Sequence, residues 1–216
     1  MLSIHDLGNL GRCGAHATDA EDYYNRTTAA DRESHNLPTA PEGMSEGITY
    51  AFGPYAPADL REGVRLTRND IRDMLRGEWR GQAVQNAHAE QRFMGWDLTF
   101  SAPKSLSVAY AVAGLETRVK IEDAVIAAAR KTIDEVLRPE MYARVGPGGR
   151  ERIDVSLMAT FYVHRNSRAN DPHLHVHVVV PSFAYVSDGR IHVVFSKRSE
   201  QIDAKPGPDT YTATTT

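Results

Sequence analysis

The sequence predicts an α+β fold in which helices pack on one face of a central antiparallel sheet. Two segments, 96–101 and 152–164, alternate between apolar and polar residues, as half-buried strands do. Residues 117–137 instead repeat apolar side chains at helical spacing, which indicates an amphipathic helix. Because a strand is followed by helices and then by further strands, the order favours helices layered against an antiparallel sheet.

Local signals complete the set of predicted elements. A short helix is expected at about 67–77, with Thr67 or Asn69 as its N-terminal cap. Residues 146–149 are a glycine-rich turn, and residues 187–189 have the composition of a hairpin turn. The other predicted elements are a helix at 104–113 and strands at 141–145, 173–186 and 191–195.

The N-terminal quarter differs in composition from the rest of the chain. Residues 1–60 are rich in Gly, Pro, Asn and Asp, and only about 15–30 has a helical pattern. We therefore expect one domain over 1–200, in which 25–65 is largely loop. The threonine-rich end of the chain, 201–216, is expected to be a disordered tail.

Composition excludes several classes of protein. No apolar run approaches the roughly 20 residues that span a bilayer, so membrane insertion is not expected. Cys13 is the single cysteine, which excludes an internal disulfide and favours a cytoplasmic location. The net charge of −3 is not that of a typical nucleic-acid-binding protein. However, residues 141–200 hold eight basic and five acidic side chains, a local charge of +3.

Within that basic region, four of the nine histidines lie in one stretch of 14 residues, 164–177. Side chains two residues apart share a strand face, so His173, His175 and His177 are expected to point the same way. Their spacing of roughly 6–7 Å along a strand would let imidazoles converge on one metal ion. His164 ends the preceding strand and would be brought alongside by the loop at 166–172. A solvated strand face is the alternative, and which three of the four histidines bind is left open.

Two features of the strand at 96–101 and its surroundings fit chemistry on phosphates. Asp97 lies on the polar face of this strand, where it could orient a ligand histidine or act as a general base. A strand-edge aspartate bonded to backbone is the alternative. Ser101, Lys104 and Ser105 surround a strand-to-helix junction, and the amide groups and lysine there suit a phosphate. An all-imidazole metal site leaves positions open for substrate oxygens, which favours a catalytic role.

A tyrosine pair, Tyr23 and Tyr24, lies in the polar N-terminal segment. A tyrosine can attack phosphorus and hold the product as a phosphotyrosine ester. A bound metal ion would offset charge in that transition state. Such a pair is otherwise a packing or surface feature, so its meaning depends on whether it lies beside the metal site.

Two long motifs resemble one known family. Residues 95–105, Gly-Trp-Asp-Leu-Thr-Phe-Ser-Ala-Pro-Lys-Ser, resemble the hallmark segment of TrwC/TraI-type conjugative relaxases, the MobF class of HUH endonucleases. Residues 164–168 and 171–177 resemble the metal motif of the same family, and residues 1–4 resemble its start. The resemblance covers roughly 1–200.

The resemblance implies the HUH relaxase palm, a fold of the ferredoxin-like or split βαβ type. It also implies an enzyme that nicks one strand of DNA at a plasmid origin of transfer, stays joined to the 5′ phosphate through tyrosine, and later rejoins the strand. The implied partners are single-stranded DNA at an origin of transfer and other relaxosome and conjugation-coupling proteins, in the bacterial cytoplasm. The implied cofactor is one divalent metal ion, with Mg, Mn or Zn as candidates.

Carried over residue by residue, the resemblance makes His164, His175 and His177 the metal ligands. His173 becomes a neighbour of the site, because the family often fills that position otherwise. Asp97 would orient a histidine and assist proton removal from the attacking tyrosine.

The same comparison makes Tyr23 the nucleophile, with Tyr24 as the alternative, and Lys104 and Arg168 groups that support the site or bind phosphate. Many members carry two tyrosine pairs, whereas one is present here, and the chain is expected to be truncated before the family's DNA-clamping helices. Two other functions stay open as alternatives. One is a catalytically impaired DNA-binding remnant, and the other is a three-histidine metal hydrolase acting on small substrates.

Overall fold

The structure is a computed structural model that describes residues 1–9, 15–85 and 87–196. None of the helices in these ranges has the length and apolar character needed to cross a membrane. In chain order the elements are β1 (Leu2–Asp6), α1 (Ala15–Ser34), β2 (Ile48–Phe52), α2 (Ala58–Arg61), α3 (Arg68–Arg76), β3 (Glu78–Trp79), β4 (Gln82–Ala83), β5 (Gly95–Ser101), α4 (Lys104–Val112), α5 (Leu115–Thr132), a π-helical turn (Ile133–Leu137), a 3₁₀ turn (Arg138–Glu140), β6 (Met141–Val145), a second 3₁₀ turn (Pro147–Gly149), β7 (Glu151–Ile153), β8 (Leu157–Asn166), β9 (Pro172–Pro181), β10 (Phe183–Tyr185) and β11 (Ile191–Ser196).

A five-stranded antiparallel sheet forms the centre of the molecule, in the order β1, β5, β9, β8, β2. A second sheet has the order β10, β11, β6, β7, and β3 pairs with β4 as a short hairpin. Within the central sheet, β8 and β9 are the long inner strands, and the loop at 167–171 joins them. The predicted α+β class with a central antiparallel sheet is confirmed.

Helices cover both faces of the central sheet, whereas the sequence predicted helices on one face. On one face, Ala129 of α5 and Ile133 of the π-helical turn pack in a cluster with Phe161. On the opposite face, Tyr24 of α1 packs in a second cluster with Tyr162. Because strand side chains alternate, the polar phase of β8 faces α1, and this phase carries the histidine of that strand.

The segment 25–65, predicted as largely loop, contains the second half of α1 together with β2 and α2. β2 pairs along its whole length with β8, from Ile48 opposite Phe161 to Phe52 opposite Leu157. This pairing joins residues more than a hundred positions apart, so the local sequence pattern did not reveal it. The prediction of a disordered tail at 201–216 falls outside the described residues, and the single domain over 1–200 stays a prediction.

The start of α3 fixes the position of α1. Thr67 caps α3 as predicted: its side chain accepts a hydrogen bond from the Asp70 amide, and the Asp70 carboxylate accepts one from the Thr67 amide. Arg68, the first residue of α3, and Arg72, one turn later, both form ion pairs with the fully buried carboxylate of Glu21 on α1. The ion pairs hold α1 against α3 and so place the tyrosine-bearing face of α1 over the sheet.

Candidate active site

Three histidines converge where β8 and β9 lie side by side. His164 of β8 is paired opposite His175 of β9, and His177 lies two residues further along β9. The ring centroids of these residues are separated by 5.2, 5.0 and 5.1 Å, which makes a nearly equilateral triangle. One nitrogen from each ring lies within 4.8 Å of the other two. Small side-chain rotations would bring all three to the roughly 2.0–2.1 Å at which imidazole binds a metal ion.

His173 lies beside this triangle rather than in it. Its ring stacks on that of His175, with centroids 4.6 Å apart and planes 23° apart. Its backbone carbonyl lies 2.8 Å from Nδ1 of His175 and can accept a hydrogen bond from it. Alternation alone made His173 an equal of the other histidines, whereas the register between β8 and β9 substitutes His164 for it.

Hydrogen bonds orient each converging imidazole. Both carboxylate oxygens of Asp97 lie close to Nδ1 of His177, at 3.0 and 2.8 Å. Since Nδ1 is also the bonded atom of His175, Nε2 of His175 and His177 stays available for an ion. Nε2 of His164 lies 2.9 Å from the hydroxyl of Thr28 on α1. The alternation of its strand predicted this orienting role for Asp97. Thr28 was not predicted, because a threonine on a helix carries no recognisable signal.

Burial keeps two of these histidines neutral. Desolvation, reinforced by His177 and His175, lowers the pKa of His164 to about 3. Desolvation also lowers the pKa of His175. Neutral imidazole is the form that binds metals. The three imidazoles that converge here are a donor set that fits a divalent ion.

The two tyrosines differ sharply in exposure. Tyr24 is 5% exposed, its ring stacks on Tyr162 at 5.2 Å, and its hydroxyl donates to Asp97 at 2.9 Å. Burial and the charge of Asp97 raise the pKa of Tyr24 far above its usual range. Tyr23 is 38% exposed and contacts Tyr24 edge to face, with ring centroids 5.3 Å apart. Both tyrosines therefore lie beside the histidine triangle, and Tyr23 is the accessible one.

A cleft of about 560 Å³, called the metal cleft below, opens over the three histidines. Tyr23 and the exposed side chain of Arg168 are part of its lining. Lys104, the other residue predicted to bind phosphate, lies outside this lining, and its ammonium donates to the carbonyl of Pro172 at 2.9 Å. The structure thus brings Arg168 to the histidines and makes Lys104 a contact at the start of β9. The full lining is Tyr23, Thr27, Ala30, Asp31, Ser34, His164, Asn166, Ser167, Arg168, Asn170, His173, His175 and His177.

The model of one protein family, the TrwC relaxase, matches residues 15–204 of the chain. The chain belongs to the TrwC relaxase family. The multifunctional conjugation protein TraI of Escherichia coli is 27% identical over 183 residues, which are 83% of this chain and 9% of that protein. The chain therefore spans under a tenth of the length of TraI.

Solved structures of the conjugative relaxase TrwC in complex with oriT DNA have the same fold. The metal-bound complex is 26% identical, with a TM-score of 0.65, and the alignment covers 94% of this chain and 64% of that one. A copper-bound complex is 24% identical, with a TM-score of 0.66 and the same coverage. The chain therefore spans less than two thirds of the length of these TrwC structures.

A buried ionic network ties the metal cleft of this TrwC-family chain to three helices. Arg165 follows the converging His164 and is 3% exposed. Its guanidinium pairs with Asp31 of α1 at 2.7 Å and with Glu122 of α5 at 2.8 Å, and it donates to the hydroxyl of Tyr110 of α4 at 2.9 Å. This network could not be predicted from the sequence, because its members are far apart in the chain and none lies in a recognisable pattern.

Replacing Arg165 with methionine is expected to lower the free energy of unfolding by about 3–5 kcal/mol, because Asp31 and Glu122 would lose the cation that compensates their burial. Urea denaturation followed by circular dichroism measures this change. The control is Lys120→Ala, which removes an exposed pair with Glu116 and should cost no more than about 0.5 kcal/mol. Equal stability of the Arg165→Met and parent proteins would contradict a stabilising role for the network.

Proposed function

We propose that this chain is the catalytic part of a relaxase that nicks single-stranded DNA at a plasmid origin of transfer. The observation that carries the proposal is that an accessible tyrosine, Tyr23, shares one cleft with three converging histidines. A metal hydrolase acting through bound water would not require the tyrosine. The TrwC structures that share this fold are complexes with oriT DNA, which supports single-stranded DNA of that kind as the partner.

The proposed reaction is a transesterification at phosphorus. The Tyr23 hydroxyl attacks the scissile phosphodiester, the bond from tyrosine oxygen to phosphorus forms, and the bond from phosphorus to O3′ breaks. The phenol gives up a proton and the departing 3′ oxygen gains one, so the products are a 5′-phosphotyrosine ester and a free 3′ hydroxyl. Because one phosphodiester is exchanged for another, the strand can be rejoined without a nucleotide energy source.

His164, His175 and His177 would hold one divalent ion for this reaction, and the donor set is compatible with Zn or Mn as well as the more weakly held Mg. When bound, such an ion polarises the phosphoryl oxygens and offsets charge in the transition state. Asp97, by accepting a hydrogen bond from Nδ1 of His177, would leave Nε2 of that histidine free to bind such an ion.

The cations near the cleft would have separate tasks. Arg168, exposed in the cleft lining, would bind a phosphate of the strand, for which a guanidinium offers paired donors. Lys104 would act indirectly, because its hydrogen bond to the Pro172 carbonyl holds the start of β9, the strand that carries His175 and His177. Other relaxosome and conjugation-coupling proteins are expected partners, and the cytoplasm of a bacterium is the expected location.

Incubation with single-stranded oligonucleotides that carry a transfer origin, in the presence of Mn²⁺ or Mg²⁺, tests the proposal. A denaturing gel should show the 3′-labelled fragment joined to protein and the 5′-labelled fragment released. Binding without cleavage would favour a DNA-binding remnant instead. Turnover of small phosphoesters that does not depend on Tyr23 would favour a metal hydrolase.

A further inference from the structure

Helix α1 separates two clefts, and Tyr23 lies on the exposed surface of the helix between them. On one flank, Thr27 and Asp31 line the metal cleft. On the other flank, Arg26 and Ala29 line a second cleft of about 780 Å³. Tyr23 lines both. At 3.6 residues per turn, these positions fall on either side of the Tyr23 direction, so the helix itself explains the division.

Strand transfer from Tyr23 needs two separate places for DNA. After the cut, the segment that ends in a 3′ hydroxyl must stay near the histidines if the strand is to be rejoined. The other segment hangs from Tyr23 through its 5′ phosphate, so it must follow the tyrosine away from the metal cleft. We infer that the second cleft is the binding site for the nucleotide on the 3′ side of the cut, and that Arg26 binds the next phosphate of that segment. This inference rests on the proposed function.

The second cleft has the size and surfaces that a nucleotide needs. Its volume lies within the range of small-molecule sites, and Ala40, Pro41 and Met44 provide apolar surface on the wall facing α1. Four carboxylates also line the cleft, but two of them are already paired with arginines and so repel a phosphate less. These pairs join Asp22 to Arg68 and Arg72, and Glu46 to Arg32 and Arg65.

Arg26 is the cation of this cleft that is available to a ligand. Its side chain is exposed, and it forms no ion pair or hydrogen bond with another residue in the described ranges. It lies three residues after Tyr23, which places the two Cβ atoms roughly 5–6 Å apart on the same helix surface. A guanidinium at this distance can reach the phosphate that follows the one under attack and bind it through paired, charge-assisted hydrogen bonds.

Two chromogenic esters test the inference: thymidine 5′-(4-nitrophenyl phosphate) and the same compound with a 3′-phosphate. In each, Tyr23 oxygen bonds to the 5′ phosphorus, the bond from phosphorus to the aryl oxygen breaks, 4-nitrophenolate leaves and the phenol proton passes to solvent. Thymidine then occupies the second cleft in both, and the 3′-phosphate alone reaches Arg26. With Mn²⁺ present, we expect the 3′-phosphorylated ester to give a nitrophenolate burst about tenfold faster.

Variants separate Arg26 from general attraction of charge. Arg26→Ala should make the two esters react at equal rates, and Arg26→Lys should keep part of the preference. Arg150→Ala, at an exposed arginine outside both cleft linings, should keep all of it. Arg168→Ala should slow both esters to the same extent.

Equal rates in the parent protein, or a preference that survives Arg26→Ala, would overturn this inference and leave the proposed function standing. If the parent protein gave no nitrophenolate burst with either ester and no covalent adduct with single-stranded DNA, the tyrosine chemistry and the inference would both be overturned. If DNA formed the covalent adduct but neither ester gave a nitrophenolate burst, the assignment of the second cleft as a binding site for a single nucleotide would be overturned.

Discussion

Tyr23→Phe is expected to lower the rate of covalent adduct formation by at least about a thousandfold, because it removes the proposed nucleophile and nothing else. Tyr23 is the tyrosine that a DNA strand in the metal cleft can reach, since it lines that cleft and the residue is 38% exposed. The measurement is the burst of 3′-labelled DNA that migrates with protein on a denaturing gel. Metal affinity, measured by titration calorimetry with Mn²⁺, should stay unchanged.

Tyr24→Phe is the matched control for this change. It removes a hydroxyl of the same kind one residue away, but that hydroxyl already donates to Asp97 and is shielded by Tyr162. The raised pKa of Tyr24 makes its phenolate costly to form, so this variant should still make the adduct, at a rate within about tenfold of the parent. The opposite pattern, adduct in Tyr23→Phe and none in Tyr24→Phe, would identify Tyr24 as nucleophile with Asp97 as its base.

Much of the candidate site could be predicted because strand periodicity is local. Alternation placed His173, His175 and His177 on one face, and the structure has all three on the side of the sheet that faces α1. Periodicity could not rank them, because the ranking depends on the register between β8 and β9. That register changes by a residue between His164 and Asn166, where the pairing is irregular. No rule of spacing predicts such a shift. The loop at 166–172 indicated that His164 comes alongside, and the family resemblance then ranked it above His173.

The parts that sequence reasoning missed lie where polar residues are buried. Helix α1 buries Glu21, Asn25 and Thr28 against the rest of the molecule, and each has a specific partner far away in the chain. A pattern based on apolar spacing treats these positions as exposed, so it predicted a helix at about 15–30 but not the surface against which that helix packs. The helix on this second face of the sheet was missed for the same reason, because α1 packs there with buried polar groups such as Thr28 beside the apolar Ala17 and Tyr24.

His175→Ala is expected to abolish tight Mn²⁺ binding and to lower DNA cleavage by at least about a thousandfold. The ring of His175 lies 5.2 Å from that of His164 and 5.1 Å from that of His177, so it is one of three converging ligands. Its loss would leave two ligands, which hold a divalent ion too weakly. The measurements are titration calorimetry with Mn²⁺ and the covalent adduct assay on the same protein samples.

His173→Ala is the matched control, because it removes an imidazole of the same strand and the same face. Its ring only stacks on His175, and the carbonyl that bonds to His175 Nδ1 belongs to the backbone and survives the substitution. Metal affinity should therefore fall by no more than about tenfold, the lower end of what supporting groups around a ligand contribute. If His173→Ala lost the metal and His164→Ala kept it, the ion would be held along β9 alone, and the pairing of His164 with His175 would have no part in binding it.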